Sequence, residues 1–73
     1  MRPVSWKEFD KFLRYIGCTF DHQTGDHLIY KKDGLNRPIV IKKVNELPIF
    51  IVNNNLRTLN MTKKDFLEIL ERL

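Results

Sequence analysis

Apolar residues recur at helical spacing near the start of the chain. Ser5-Trp6-Lys7-Glu8 has the spacing of a capping box, in which a hydroxyl and an acidic side chain each bind a backbone N–H at the helix start. One side of the following segment is apolar, and its members are Trp6, Phe9, Phe12, Leu13 and Ile16. The pattern predicts a helix that starts at Ser5 and ends at Gly17.

After Gly17 the pattern changes to that of strands. Cys18 to His22 and His27 to Lys32 are predicted to pair as antiparallel strands, joined by a turn over Gln23-Thr24-Gly25-Asp26. If His22 pairs with His27, both imidazoles lie on one face of the ladder. The register stays open at this point, because a slip of one residue sends a side chain to the opposite face.

A second turn and a third strand follow. Asp33-Gly34 is a strong hairpin signal, and the segment from Arg37 to Lys42 contains the apolar run Ile39-Val40-Ile41. Pro38 has no N–H for a ladder, so it fits a strand start or a sheet edge. The sequence therefore predicts a three-stranded antiparallel meander.

Two helices are predicted to close the chain. Asn45-Glu46 before Leu47-Pro48 is interpreted as the cap and first turn of a helix that runs to about Leu59, and Thr62-Lys63-Lys64-Asp65 repeats the capping arrangement. The predicted apolar residues of these two helices are Ile49, Phe50, Val52, Leu56 and Leu59, and then Phe66, Leu67, Ile69, Leu70 and Leu73. We assign Trp6 and the phenylalanines to the core. The predicted fold is α+β, with order α-β-β-β-α-α and helices on one face of the sheet.

Length and composition set the broad class. A chain of 73 residues with 42% hydrophobic residues has room for one small folded domain, over residues 1–73. The single cysteine excludes an internal disulfide, and we expect a reducing, cytoplasmic location. The most apolar run is too short to cross a bilayer and the N-terminus lacks the features of a signal peptide, so neither a membrane nor secretion is expected.

The charge suggests a partner class. A formal net charge of +4 favours an anionic partner, although many small domains carry extra lysine only for solubility. The free face of the predicted sheet would carry those of His22, His27, Lys31 and Lys42 that point outward, a set suited to a phosphodiester. Imidazole, with an unperturbed pKa of about 6.5, can give or take protons near neutral pH. Taken alone, these residues equally fit an ordinary charged surface.

A family resemblance adds to this interpretation of the histidines and lysines. Gly25, Asp26 and His27, with Tyr30 three positions after the histidine, form a short motif within the predicted hairpin. Together with the element order and the closing Thr62-Lys63-Lys64-Asp65-Phe66, this motif resembles the HicA-type toxins of bacterial toxin–antitoxin pairs. The resemblance spans nearly the whole chain. Two positions differ: Asp26 replaces the commoner serine, and a frequent second histidine is Lys42 or Lys43 here.

The resemblance implies a double-stranded-RNA-binding-domain-like fold, cleavage of mRNA and neutralisation by a HicB-type antitoxin. It makes His27 the catalytic residue. Our hypothesis is that His27 acts as general base or acid, without a metal or a small-molecule cofactor. The lysines predicted to bind RNA phosphates are Lys31, Lys32, Lys42 and Lys43. Asp26 is a possible supporting residue that orients an imidazole or raises its pKa, and His22 a second one, although a polar residue near a turn needs no role.

Two other functions stay open from the sequence. One is a non-catalytic RNA-binding module, or an inactive HicA-like protein kept for partner binding, and the absent second histidine favours it. The other is a protein-interaction domain without RNA affinity. Basic pairs such as Lys63-Lys64 most often form solvated faces and do not separate these functions.

Overall fold

The helices and strands follow one another in the predicted order. A computed structural model describes residues 1–73. The elements are α1 (Trp6–Tyr15), β1 (Thr19–Thr24), β2 (His27–Lys31), β3 (Ile39–Lys42), α2 (Ile49–Thr58) and α3 (Lys63–Arg72). No helix combines the length and apolar character that a membrane-spanning segment requires.

Helix α1 begins and ends as its sequence predicts. The Glu8 N–H donates to the Ser5 hydroxyl at 3.1 Å, and the Ser5 N–H donates to the Glu8 carboxylate at 3.1 Å, which completes the capping box. After the helix, Gly17 has φ +98°, a conformation that glycine adopts without a steric penalty. The helix therefore ends where the chain must turn into the sheet.

The three strands form an antiparallel sheet in the order β1-β2-β3. Alternate side chains of β2 and β3 are buried beneath the helices, and these are Leu28, Tyr30, Ile39 and Ile41. Phe20 and Gln23 of β1 lie opposite Tyr30 and Leu28 on this same face, and the remaining side chains of the sheet point away from the helices. This confirms the predicted α+β arrangement with helices on one face.

The first hairpin is tighter than predicted. Its turn consists of Gly25 and Asp26 alone, since Thr24 pairs directly with His27. Gly25 has φ +59°, as the first central residue of a primed two-residue turn requires. The predicted pairing of His22 with His27 is wrong. His22 lies opposite Ile29, because the two-residue turn makes Thr24 the partner of His27. A bulge beyond His22 then shifts the register of Phe20, which lies opposite Tyr30.

Phenylalanines from both ends of the chain meet in the core. The ring centroids of Phe9 and Phe66 are 5.4 Å apart, and those of Phe12 and Phe66 are 4.7 Å apart with nearly perpendicular planes. All three rings are fully buried. Edge-to-face contacts of this kind add to the free energy of area burial, so Phe66 fixes α3 against α1.

Other predicted core residues are exposed. Phe50 is 63% exposed and Phe20 is 41% exposed, although the Phe20 ring packs edge-on against Tyr30. Ile49 and Leu73 are exposed as well, whereas Trp6 is partly buried against the core. The core assignment of Phe20, Phe50, Ile49 and Leu73 is therefore wrong. Ile49, Phe50 and Leu73 belong to helical apolar patterns that are longer than the buried face, whereas Phe20 lies on β1, all of whose residues are exposed.

Helix α2 departs furthest from the prediction. It begins after Pro48, which makes no side-chain cap, so the interpretation of Asn45-Glu46 as its cap is wrong. Its buried side carries Val52, Asn55 and Leu56, and the Asn55 amide Nδ2 donates to the Val40 carbonyl at 3.0 Å. That carbonyl lies on β3, an edge strand of the sheet. Helix α2 thus protects the β3 edge from pairing with another chain.

We expect Phe66→Ala to lower the free energy of unfolding by about 3–5 kcal/mol, because the cavity cannot be filled by its rigid aromatic neighbours. A domain of this size has roughly 3–5 kcal/mol of stability, so much of the variant should be unfolded. Phe50→Ala is the matched control, expected to change stability by less than about 0.5 kcal/mol. Urea unfolding followed by circular dichroism measures both, and equal midpoints would contradict the packing role of Phe66.

Candidate active site

The sheet surface that points away from the helices carries several of the predicted site residues. We call this surface the outer face, and its side chains are Thr19, His22, Thr24, His27, Ile29, Lys31, Val40 and Lys42. Most of them are exposed, and Ile29 in the centre is partly buried. The outer face is therefore open to a large ligand.

His27 is the first residue of β2 and lies opposite Lys42 of β3. Its side chain is 54% exposed, and its Nδ1 lies 3.2 Å from Asp26 Oδ1. The other Asp26 oxygen lies 3.8 Å from Lys42 Nζ. One carboxylate thus stands between an imidazole and an ammonium group, and His27 Nε2 is left without a hydrogen-bond partner in the chain.

The tight turn holds this group together. Asp26 is the second turn residue, and its backbone carbonyl accepts a hydrogen bond from the Lys43 N–H at 2.7 Å. This bond ties the turn to the end of β3. Asp26, His27 and Lys42 are therefore placed by backbone hydrogen bonds and not by side-chain contacts alone.

A second group of the same composition lies on β1. The His22 imidazole Nδ1 is 2.6 Å from Asp21 Oδ2, a hydrogen-bond distance, and Lys31 Nζ lies 3.5 Å from Asp21 Oδ1. The hydrogen bond with His22 holds the pKa of the Asp21 carboxyl below its ordinary value, and the nearby Lys31 ammonium acts in the same direction. Asp21 therefore stays ionised as a counter-charge for Lys31 and a hydrogen-bond partner for the His22 ring.

Two of the four predicted RNA-binding lysines lie on the outer face. Lys31 and Lys42 belong to it, but Lys43 Nζ lies 5.1 Å from the centre of the Trp6 ring, in a cation–π contact. Lys32 lies beside Gly17, on the α1 side of the hairpin. Lys32 directly follows Lys31, and Lys43 directly follows Lys42. Because successive side chains of a strand point to opposite faces, the second lysine of each pair lies off the outer face.

Sequence reasoning missed one feature near this surface. A cleft of about 740 Å³ lies between the β2–β3 loop and α2, and Val40 belongs both to it and to the outer face. Arg37 and Arg57 line the cleft, which has no acidic lining residue, and neither arginine forms an ion pair. The two arginines are far apart in sequence, and no local pattern indicates that they meet.

The fold and the outer face define an α+β protein of the double-stranded-RNA-binding-domain-like class, with histidines and lysines on its open sheet face. A family model described as the HicA toxin of bacterial toxin–antitoxin matches residues 6–61. The match covers well over half of the chain, and the protein belongs to the HicA toxin family. Neither a search of curated proteins nor a search of solved structures gave a match. A single domain over all of residues 1–73 stays a prediction, since α3 lies beyond the match.

The depressed pKa of Asp21 gives a test of the second group. A carboxyl whose pKa is lower in the folded state stabilises the fold above its unfolded pKa of about 3.9 and loses that contribution as the pH falls through the folded value. We expect His22→Ala to return the Asp21 pKa toward the ordinary value. Carboxyl-carbon NMR titration of both proteins measures it, and an unchanged Asp21 pKa would contradict the pairing.

Proposed function

We propose that the protein is a metal-independent endoribonuclease, an mRNA interferase, and that His27 is its catalytic residue. The observation that carries the proposal is the exposed His27 imidazole directly opposite Lys42, in a member of the HicA toxin family. Its substrate would be mRNA, which places its action in the cytoplasm.

The chemistry needs a proton acceptor, a cation and a proton donor. In the proposed reaction, the RNA 2′-oxygen attacks the adjacent phosphorus while His27 Nε2 removes or supplies one of the two transferred protons. The bond from phosphorus to the 5′-oxygen breaks, which leaves a 2′,3′-cyclic phosphate and a 5′-hydroxyl. Lys42 and Lys31 offset the phosphate charge, and Asp26 beside His27 Nδ1 orients the ring.

The same surface suits a single RNA strand. Ile29 and Val40 form an apolar floor between the cationic residues, and bases can lie against such a surface while lysines contact the backbone. Beyond Val40, the cleft with Arg37 and Arg57 extends the positive surface. The RNA path that we propose therefore runs from His27 across β3 to the cleft.

We further propose that a HicB-type antitoxin neutralises the toxin by covering the outer face. Support for such a partner comes from the family. Because the site is open and shallow, a protein that covers His27 and Lys42 would exclude RNA without changing the fold.

The alternative function is an RNA-binding module, or an inactive relative kept for partner binding. The absence of a second histidine after the third strand favours this alternative. The family resemblance leads us to expect that histidine at a position where this chain has Lys42 or Lys43. In that case the outer face would bind RNA and leave it intact.

Cleavage of a long single-stranded RNA in EDTA, resolved on a denaturing gel, separates the two functions. We expect cleavage by the wild type and a loss of about 10²- to 10⁴-fold in His27→Ala, the usual contribution of a general acid or base. Expression of the wild type should arrest growth of a bacterial host, and expression of His27→Ala should not. If both folded proteins bind RNA and neither cuts it, the RNA-binding module is the correct function.

Neighbouring lysines give a matched test of the RNA surface. We expect Lys42→Gln to weaken RNA binding and to reduce the slope of log affinity against log salt by about 0.7, as loss of one phosphate contact to a single strand should. Lys43→Gln removes the same charge from a side chain that packs on Trp6, so its slope should stay near that of the wild type.

Binding is best measured in the His27→Ala background, where the RNA stays intact. Equal salt slopes for the Lys42 and Lys43 variants would show that the outer face is not the RNA surface.

A further inference from the structure

We infer that His22 is a second catalytic residue, the general acid that protonates the leaving 5′-oxygen while His27 acts as the base. This inference rests on the proposed ribonuclease function and assigns its second proton transfer. It is carried by the register of the first hairpin and by the different contacts that the two imidazoles make with their neighbouring aspartates.

The tight turn decides which face His22 occupies. Thr24 pairs with His27 and Gln23 with Leu28, so the regular ladder beside the turn places His22 opposite Ile29. Asp21 is the extra residue of the bulge, which lies beyond His22 and shifts the register of Phe20. Strand alternation from the turn therefore puts His22 on the face that carries His27.

The bulge also places Asp21 beside His22. Neighbouring residues of a regular strand point to opposite faces, but here the Asp21 carboxylate and the His22 ring meet at 2.6 Å on the outer face. Bulges near active sites commonly re-aim a side chain in this way. The result is a second aspartate, histidine and lysine group, completed by Lys31.

The two histidines are spaced to act on one phosphate. Thr24 lies opposite His27, and His22 lies two residues further along β1, so the imidazoles are diagonal neighbours on the same face. Diagonal pairs in an antiparallel sheet are separated by about 7–8 Å. A phosphate between them would present its attacking and leaving oxygens to opposite sides, as in-line displacement requires.

The contacts of each ring assign the roles. His22 Nδ1 lies 2.6 Å from the Asp21 carboxylate, a hydrogen bond that holds the ring when both of its nitrogens carry protons, as a general acid requires. His27 lies across the ladder from Lys42, which can hold the phosphate while His27 Nε2 takes the 2′-hydroxyl proton. Its Nδ1 lies 3.2 Å from Asp26, a longer contact than the one that His22 makes. The remaining charged neighbour, Lys31, lies against Asp21.

The proton balance follows directly. The 2′-hydroxyl proton passes to His27 Nε2 as the new oxygen–phosphorus bond forms. The bond to the 5′-oxygen breaks, and that oxygen takes a proton from His22 Nε2. The histidines end with exchanged protonation states, which water restores before the next turnover.

A substrate with sulfur in place of the bridging 5′-oxygen tests the assignment. A thiolate, whose conjugate acid has a pKa of about 8.5, leaves without protonation, so the reaction no longer needs an acid. We expect His22→Ala to cut the ordinary linkage about 10²- to 10⁴-fold more slowly than the wild type and to cut the sulfur linkage at nearly the wild-type rate. His27→Ala should remain slow on both substrates.

Controls separate catalysis from structure. Phe50→Ala changes an exposed residue of α2 that lies outside the outer face and should keep wild-type rates on both linkages. His22→Gln should reproduce the pattern of His22→Ala with a polar side chain of similar length. The alkaline limb of the pH profile of kcat/KM, which reports the acid, should disappear in both His22 variants.

Three outcomes would overturn the inference. In the first, the His22 variants cut the ordinary linkage as fast as the wild type. In the second, they lose the same factor on both linkages, which means that His22 only positions the RNA. In either case the wild type still cleaves RNA, and the proposed function stands. In the third, the folded wild type cuts neither linkage, and the proposed function fails together with the inference.

Discussion

The alternation of side chains along β2 is the constraint on which the rest of the molecule depends. Leu28 and Tyr30 point into the core, while His27 and Lys31 point to the open face. The central strand therefore stabilises the fold with one set of side chains and presents charged groups with the other. A shift of one residue would bury an imidazole and an ammonium group and expose two core residues, which is why the register is strongly fixed.

Tyr30 shows how closely the buried and the outward-facing side chains of β2 are coupled. Its ring is fully buried, and its hydroxyl donates to the Asp10 carboxylate of α1, which also accepts from Arg14. Burial and the neighbouring carboxylate both raise the pKa of the phenol, so the hydroxyl stays protonated and able to donate. The bond links α1 to the strand that carries His27. The aromatic residue of the family motif is thus part of the core, and its hydroxyl helps to fix the strand.

The sequence predicted the features that depend on local pattern. Capping boxes at Ser5 and Thr62 form as expected, because each involves only four consecutive residues. The order of elements also follows from local periodicity, whereas the register of the first hairpin, which sets the faces of His22 and His27, stayed open. The core assignment of Phe50 and the predicted start of α2 were wrong, because a run of apolar residues does not show which of them pack against another element. The bulge at Asp21 was missed for a related reason, because it arises from the pairing of two strands and from a turn shorter than its composition suggested.

The bulge has a consequence for how such a gene can change. Most codon changes in β1 would replace one exposed side chain and leave the others in place, because all six residues of the strand are exposed. Deletion of the Gln23 codon is different. It would bring His22 opposite Leu28 and Asp21 opposite Ile29, which restores a regular ladder and turns His22 toward the helices in a single event. Codon changes in β1 are therefore unequal in their effect, and a three-nucleotide deletion goes further than most substitutions in the same strand.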